Sequence, residues 1–271
     1  MLSNAAKSKF DNAAARCVYA VSRAGGALCA TLQFALPQAC VLCRSPSGNA
    51  LVCAACANAM PRDACACPRC ALGGVDNDAV CGACLAKPPP FDATIAAWRY
   101  AFPADRLLQA FKYAGMLALA EPLAAALADT LARRNAPRPD VVIAVPLSLS
   151  RQRERGFNHA HEIARRLAMR LDLPIEHALA RTRDAPPQAG LTLRERARNL
   201  RDAFAASRSV SGRAVAIVDD VMTTGATLRA ASRALRAAGA ARIDAWVVAR
   251  TGIRDQVSGS SGRIAENMSD P

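Results

Sequence analysis

Residues Val215 to Leu228 read V-A-I-V-D-D-V-M-T-T-G-A-T-L. The apolar run Ala214 to Val218 has the look of a buried strand, and it ends in two adjacent carboxylates, Asp219 and Asp220. A turn of small residues and hydroxyls comes next, and an alanine-rich helical pattern starts directly after it. The first turn of a helix leaves amide N–H groups unpaired, and the helix dipole favours an anion there. The amides of Thr223, Thr224, Gly225, Ala226 and Thr227 can therefore close around a phosphate. Gly225 lets the backbone approach without a Cβ in the way. The hydroxyls of Thr223, Thr224 and Thr227 add donors that a plain strand-to-helix turn does not require, and the carboxylates are placed to accept hydrogen bonds from sugar hydroxyls. The pattern suits a sugar phosphate.

This stretch resembles the PRPP-binding motif of type I phosphoribosyltransferases from Val215 to Thr227. The resemblance implies a catalytic pair, Asp219 and Asp220, holding the ribose 2'- and 3'-hydroxyls. It also implies a 5'-phosphate cradle of Thr223, Thr224, Gly225, Ala226 and Thr227, with Mg2+ accompanying the PRPP. A motif of this kind carries weight only in a strand-then-helix context, which the flanking patterns supply.

The second informative stretch is cysteine-rich. Cys40-x-x-Cys43, Cys53-x-x-Cys56, Cys67-x-x-Cys70 and Cys81-x-x-Cys84 place eight of the 11 cysteines in identical pairs. Two such pairs complete a tetrahedral zinc site, so one or two structural Zn2+ ions are expected on Cys40, Cys43, Cys53, Cys56, Cys67, Cys70, Cys81 and Cys84. Small units of this kind have almost no core of their own, and the metal supplies their folding energy. Disulfides would need an exported chain, and redox chemistry fits one such pair better than four. An iron–sulfur cluster could use the same ligands. Cys65 is surplus and could stand in for Cys67, and sequential or crossed ligation both remain open.

The chain has 271 residues and a net charge of +13, enough for an α/β domain plus a smaller module and a bias towards polyanionic partners. Nearly all the positive charge is arginine, which tracks nucleotide composition as readily as function. Aromatic residues make up 4%, which argues against stacking platforms for single strands. The apolar stretch Cys17 to Leu36 is broken by Arg23 and Gly25-Gly26 and reads as a packing helix rather than a membrane span or a secretion leader.

Working outward, Lys87-Pro88-Pro89-Pro90 forms a stiff linker. Asp92 to Phe102 reads as a strand, Pro103 to Tyr113 as a helix carrying Lys112 near its end, and Leu117 to Arg134 as a long helix. Val141 to Val145 is a second buried strand, followed by the basic loop R-Q-R-E-R-G-F-N and a helix. Ligands of open α/β sheets bind beyond the carboxyl ends of strands, so this loop and the Asp219 loop should face one crevice. Arg151, Arg153 and Arg155 have the charge for pyrophosphate. His159 receives no catalytic role. Arg181 to Arg201 reads as a lid, shielding a reactive ribosyl centre from water. A helix behind the phosphate turn, Thr227 to Ala238, and a final strand, Arg242 to Val248, complete an open, mostly parallel sheet flanked by helices. The expected domains are a helical segment at 1–36, a double zinc ribbon at 37–86, a phosphoribosyltransferase-like domain at 91–251 and a disordered tail at 252–271.

The order of parts is similar to the competence protein F (ComF) family. The similarity rests on the paired cysteines, F-K-Y-A-G around Lys112, V-P-L-S-x-x-R-x-R-E-R-G-F-N from Val145 to Asn158, Q-A-G-L-T-x-x-E-R-x-x-N within Gln188 to Asn199, and the PRPP motif. It implies a cytoplasmic protein that binds PRPP and belongs to the handling of incoming single-stranded DNA, with the DNA-uptake machinery as a partner. Lys112, Arg151 and Arg155 are its pyrophosphate and loop candidates. Two functions are compatible with this pattern: phosphoribosyl transfer to an unidentified acceptor, or a non-catalytic nucleic-acid protein that uses the phosphate site for ligand or single-stranded DNA. In transferases for oxopurines a carboxylate stands where this chain has Thr223, which disfavours a purine base as acceptor.

Overall fold

The computed structural model describes residues 38–76, 79–147, 156–182 and 203–252. The N-terminal helix, Arg151, Arg153, Arg155, most of the lid and the tail lie outside these residues. Two compact units emerge, Met1–Asn58 and Ala59–Pro271. In the described part of the first unit, β1 (Gln38–Ala39) and β2 (Pro46–Gly48) pair antiparallel, and α1 (Ala54–Asn58) follows.

The second unit begins with the other cysteine quartet and α2 (Gly82–Ala86), and continues through β3 (Ala93–Arg99) and α3 (Ala104–Tyr113). A turn of 3-10 helix leads into α4 (Ala120–Arg133), then β4 (Val141–Ala144) and α5 (His159–Leu171). The short strands β5 (Leu179–Arg181) and β6 (Phe204–Ala206) pair antiparallel. The unit closes with β7 (Ala214–Met222), α6 (Ala226–Ala237) and β8 (Arg242–Arg250).

The main sheet has the order β3-β8-β7-β4, and every neighbouring pair is parallel. Its central strands read as continuous apolar runs because helices cover both faces of a parallel sheet. Val215 to Val218 and Ile243 to Val248 are accordingly all buried. In α6, Leu228, Ala231, Ser232 and Leu235 fall on the buried stripe that a period of 3.6 residues produces. Asn158 caps α5 by accepting from the His161 amide, while its own side-chain amide donates to the Val145 carbonyl at 3.0 Å. That pair of bonds ties the helix start to the carboxyl end of β4.

The cysteines Cys67, Cys70, Cys81 and Cys84 belong to the same buried cluster as Phe91, Val141, Ile143, Val215 and Ile217. Three bonds join their segment to the sheet: the Thr94 amide donates to Pro68 O at 3.0 Å, Thr94 Oγ1 donates to Arg69 O at 2.7 Å, and Arg250 Nε donates to Cys70 O at 2.9 Å.

Candidate functional site

The strand β7 runs past the last apolar residue. Asp219 pairs in register with Val247, Val221 with Ala249 and Met222 with Arg250, so the two acids are strand residues rather than part of the turn. The neighbouring strand supplies the ladder that the sequence of β7 does not announce. Successive positions on a strand project to opposite faces. Asp220 meets Lys112, with Nζ 3.0 Å from Oδ1, while Asp219 accepts the Asp220 amide at 2.9 Å. Lys112 sits in the last turn of α3, whose Leu107, Leu108 and Phe111 are anchored in the core, so the ammonium is delivered to the acids by a rigid element.

Burial raises the Asp219 carboxyl and the charge on Asp220 raises it further, to about 7, against the Asp220 amide and Lys112, which lower it. A buried carboxyl next to a second carboxylate holds its proton towards neutral pH, even with Lys112 at hand.

The turn after β7 leads directly into α6. Gly225 has φ +73°, in the left-handed region, and caps α6 without a side chain. A Cβ there would lie 2.5 Å from Met222 Cε. Thr223 and Thr224 are exposed, and the Ala226 amide reaches Thr224 Oγ1 at 3.4 Å. The structure thus brings together Lys112, Asp219, Asp220 and Thr223 to Thr227 at the carboxyl end of β7. His159 is buried, with its ring 4.9 Å from Phe111 and 4.5 Å from Phe157.

The sulfurs form two quartets, Cys40/Cys43/Cys53/Cys56 and Cys67/Cys70/Cys81/Cys84, each with its ligand atoms within 4.8 Å of one another. Grouping is sequential, and Cys65 stands outside both. Each quartet has an amide aimed at sulfur: the Cys53 amide on Cys40 Sγ at 3.4 Å and the Cys81 amide on Cys67 Sγ at 3.3 Å. Burial raises the Cys40 thiol, but the amides of Cys43, Cys53 and Leu42 outweigh it and bring it down to about 6. The crowding falls on Cys56, pushed up to about 12, first by Cys43. Four sulfurs in this arrangement fit a divalent cation, which removes their mutual repulsion.

Sequence reasoning passed over Arg250. The residue is 7% exposed, and its guanidinium donates to the carbonyls of Cys70, Met222, Thr223 and Thr251. The signal was there to read: a charged residue closing the unbroken apolar run Ala245 to Ala249 must find partners in the interior.

A parallel sheet with an acidic strand end and a glycine-capped turn, in one chain with paired cysteine quartets, defines a phosphoribosyltransferase-type domain with a double zinc ribbon. Family models agree: the phosphoribosyl transferase domain matches residues 115–259 and the double zinc ribbon domain matches residues 31–85. The chain is 35% identical over 223 residues to the DNA utilization protein YhgH of Escherichia coli K12, covering 80% of this chain and 98% of that one. It is 36% identical over 180 residues to competence protein F of Haemophilus influenzae, covering 63% of this chain and 78% of that one. The chain belongs to the ComF family. Among solved structures, a B. subtilis glutamine PRPP amidotransferase overlays 48% of this chain and 26% of its own, with 25% identity and a TM-score of 0.35. Among the described residues, no helix is long and apolar enough to cross a membrane.

Proposed function

We propose that the chain binds PRPP at the carboxyl end of β7 and transfers its phosphoribosyl group to an acceptor amine or base during DNA utilization in the cytoplasm. The observation that carries this reading is the Asp219–Asp220 pair held by Lys112 directly before the Gly225 turn. Asp219 and Asp220 accept the ribose hydroxyls, and the amides and hydroxyls of Thr223 to Thr227 take the 5'-phosphate. The carboxylate oxygens of the pair are hard donors that fit Mg2+, which supplies charge neutralisation for a pyrophosphate leaving group. Lys112 reaches the same place and gives up Asp220 as the ligand arrives, adding positive charge where pyrophosphate departs. In the transfer, the bond from ribose C1 to the pyrophosphate oxygen breaks, a bond from the acceptor nitrogen to C1 forms, and the nitrogen loses a proton to solvent.

The names of the relatives support a place in DNA handling. Parallel titrations test the assignment. Saturable PRPP binding in magnesium, with pyrophosphate released when an acceptor is supplied, supports transfer. Binding of single-stranded DNA with steep salt dependence and no response to PRPP favours a non-catalytic nucleic-acid protein.

A further inference from the structure

Arg250 links two places that otherwise share no chemistry. Nε holds the carbonyl of Cys70, a member of the second quartet, at 2.9 Å. One terminal nitrogen holds the Met222 carbonyl at 3.1 Å, the Thr223 carbonyl and the Thr251 carbonyl at 2.9 Å. No described carboxylate lies within salt-bridge range of this buried cation. A desolvated guanidinium needs an anionic neighbour, and a quartet of thiolates outweighs the charge of the divalent ion it holds. The bond to the Cys70 carbonyl sets the guanidinium beside the second quartet.

The other end of the link sets the phosphate turn. A peptide group is planar and trans, so fixing a carbonyl fixes the N–H of the next residue in the opposite direction. Held carbonyls on Met222 and Thr223 aim the amides of Thr223 and Thr224 away from Arg250. Those are the first two donors of the cradle.

We propose that Arg250 is a positioning residue through which metal in the Cys67/Cys70/Cys81/Cys84 centre sets the phosphate turn, so that this centre and the turn bind their ligands cooperatively. The cooperative half of the proposal rests on the PRPP reading; the mechanical half does not. Coupling of binding free energies is reciprocal, so PRPP must raise the affinity for the metal by the same factor as the metal raises the affinity for PRPP.

The test uses full-length, zinc-loaded protein, Arg250→Lys, Cys70→Ser, and Cys43→Ser as the variant that disturbs a ligand outside the bonds of Arg250. Lysine keeps the charge but cannot fork between Cys70 and the turn. Backbone amide relaxation is read at Thr223 and Thr224, with Val141 to Ala144 reporting the intact sheet. The order parameters of the two threonines are expected near ~0.85 in wild type and Cys43→Ser, and below ~0.6 in Arg250→Lys and Cys70→Ser, with β4 unchanged. Zinc release to a chromogenic chelator is then followed with and without PRPP and magnesium. The ligand is expected to slow the loss of one zinc at least about five-fold in wild type and not in Arg250→Lys. An undisturbed turn in Arg250→Lys, an equal change in Cys43→Ser, or loosening of β4 alongside the turn overturns the proposal. A turn that loosens in Arg250→Lys while wild type binds no PRPP upholds the mechanical link and refutes the PRPP reading instead.

Discussion

Replacing Asp219 with asparagine should stabilise the protein at alkaline pH. The folded Asp219 carboxyl titrates at about 7, against an ordinary value of 3.8. Between those values the folded form binds more protons than the unfolded form, so stability falls as pH rises and the loss is complete above about 7. At 1.36 kcal/mol per unit, the full window corresponds to about 4 kcal/mol, an upper limit for a half-buried group. From pH 6 to pH 8.5 only the last part of that titration remains, roughly 1.4 kcal/mol. Asparagine has no charge to desolvate, and its carbonyl oxygen can still accept the Asp220 amide. Urea unfolding in zinc-containing buffer, followed through the buried Trp98 and Trp246, gives the comparison. Wild type should lose roughly 1 to 1.5 kcal/mol more than Asp219→Asn between the two pH values, leaving the variant the more stable at pH 8.5. Equal slopes for the two proteins refute the account of the acidic pair.

Lys112→Met should leave Asp220 without its cation, cost about 1–2 kcal/mol in urea unfolding and shift the Asp219 titration further upward by carboxyl-resolved NMR. Gly225→Ala should cost about 1–2 kcal/mol, since alanine must adopt φ +73° and its Cβ displaces Met222, with a parallel loss of PRPP affinity by calorimetry. Cys70→Ser should lower the zinc content by one ion and reduce the melting temperature of the sheet-bearing unit, because its quartet lies in the same buried cluster as β4 and β7. Cys43→Ser should lower zinc content equally and leave that melting transition in place, as read by metal analysis and calorimetry.

The features legible in the sequence were those fixed by local spacing. Paired C-x-x-C motifs specify a knuckle whatever surrounds them, and the structure adds that ligands group sequentially and that Cys67, not Cys65, belongs to the quartet. The turn between β7 and α6 was equally local, because a glycine between a strand and a helix is written in a few adjacent residues. Features that depend on distant neighbours were harder to see. The strand β7 continues through charged Asp219 and Asp220 because β8 supplies partners for Asp219, Val221 and Met222, which its own sequence does not reveal. Lys112 was recognisable as a cation near the site, but its partner, Asp220, lies on another element. The apolar run before Arg250 marks it as an interior charge, but its partners, the carbonyls of Cys70, Met222, Thr223 and Thr251, could not be read because no one of those segments signals the contact.

The central claim is that the acidic pair and the glycine-capped turn bind an activated sugar phosphate. Titration calorimetry of zinc-loaded protein with PRPP in millimolar magnesium tests it most directly, with wild type beside the variant carrying Asp219→Ala and Asp220→Ala. Saturable heat in wild type that vanishes in the double variant, with both proteins folded and equally loaded with zinc, is the predicted result. No heat in wild type, or the same heat in both, contradicts it.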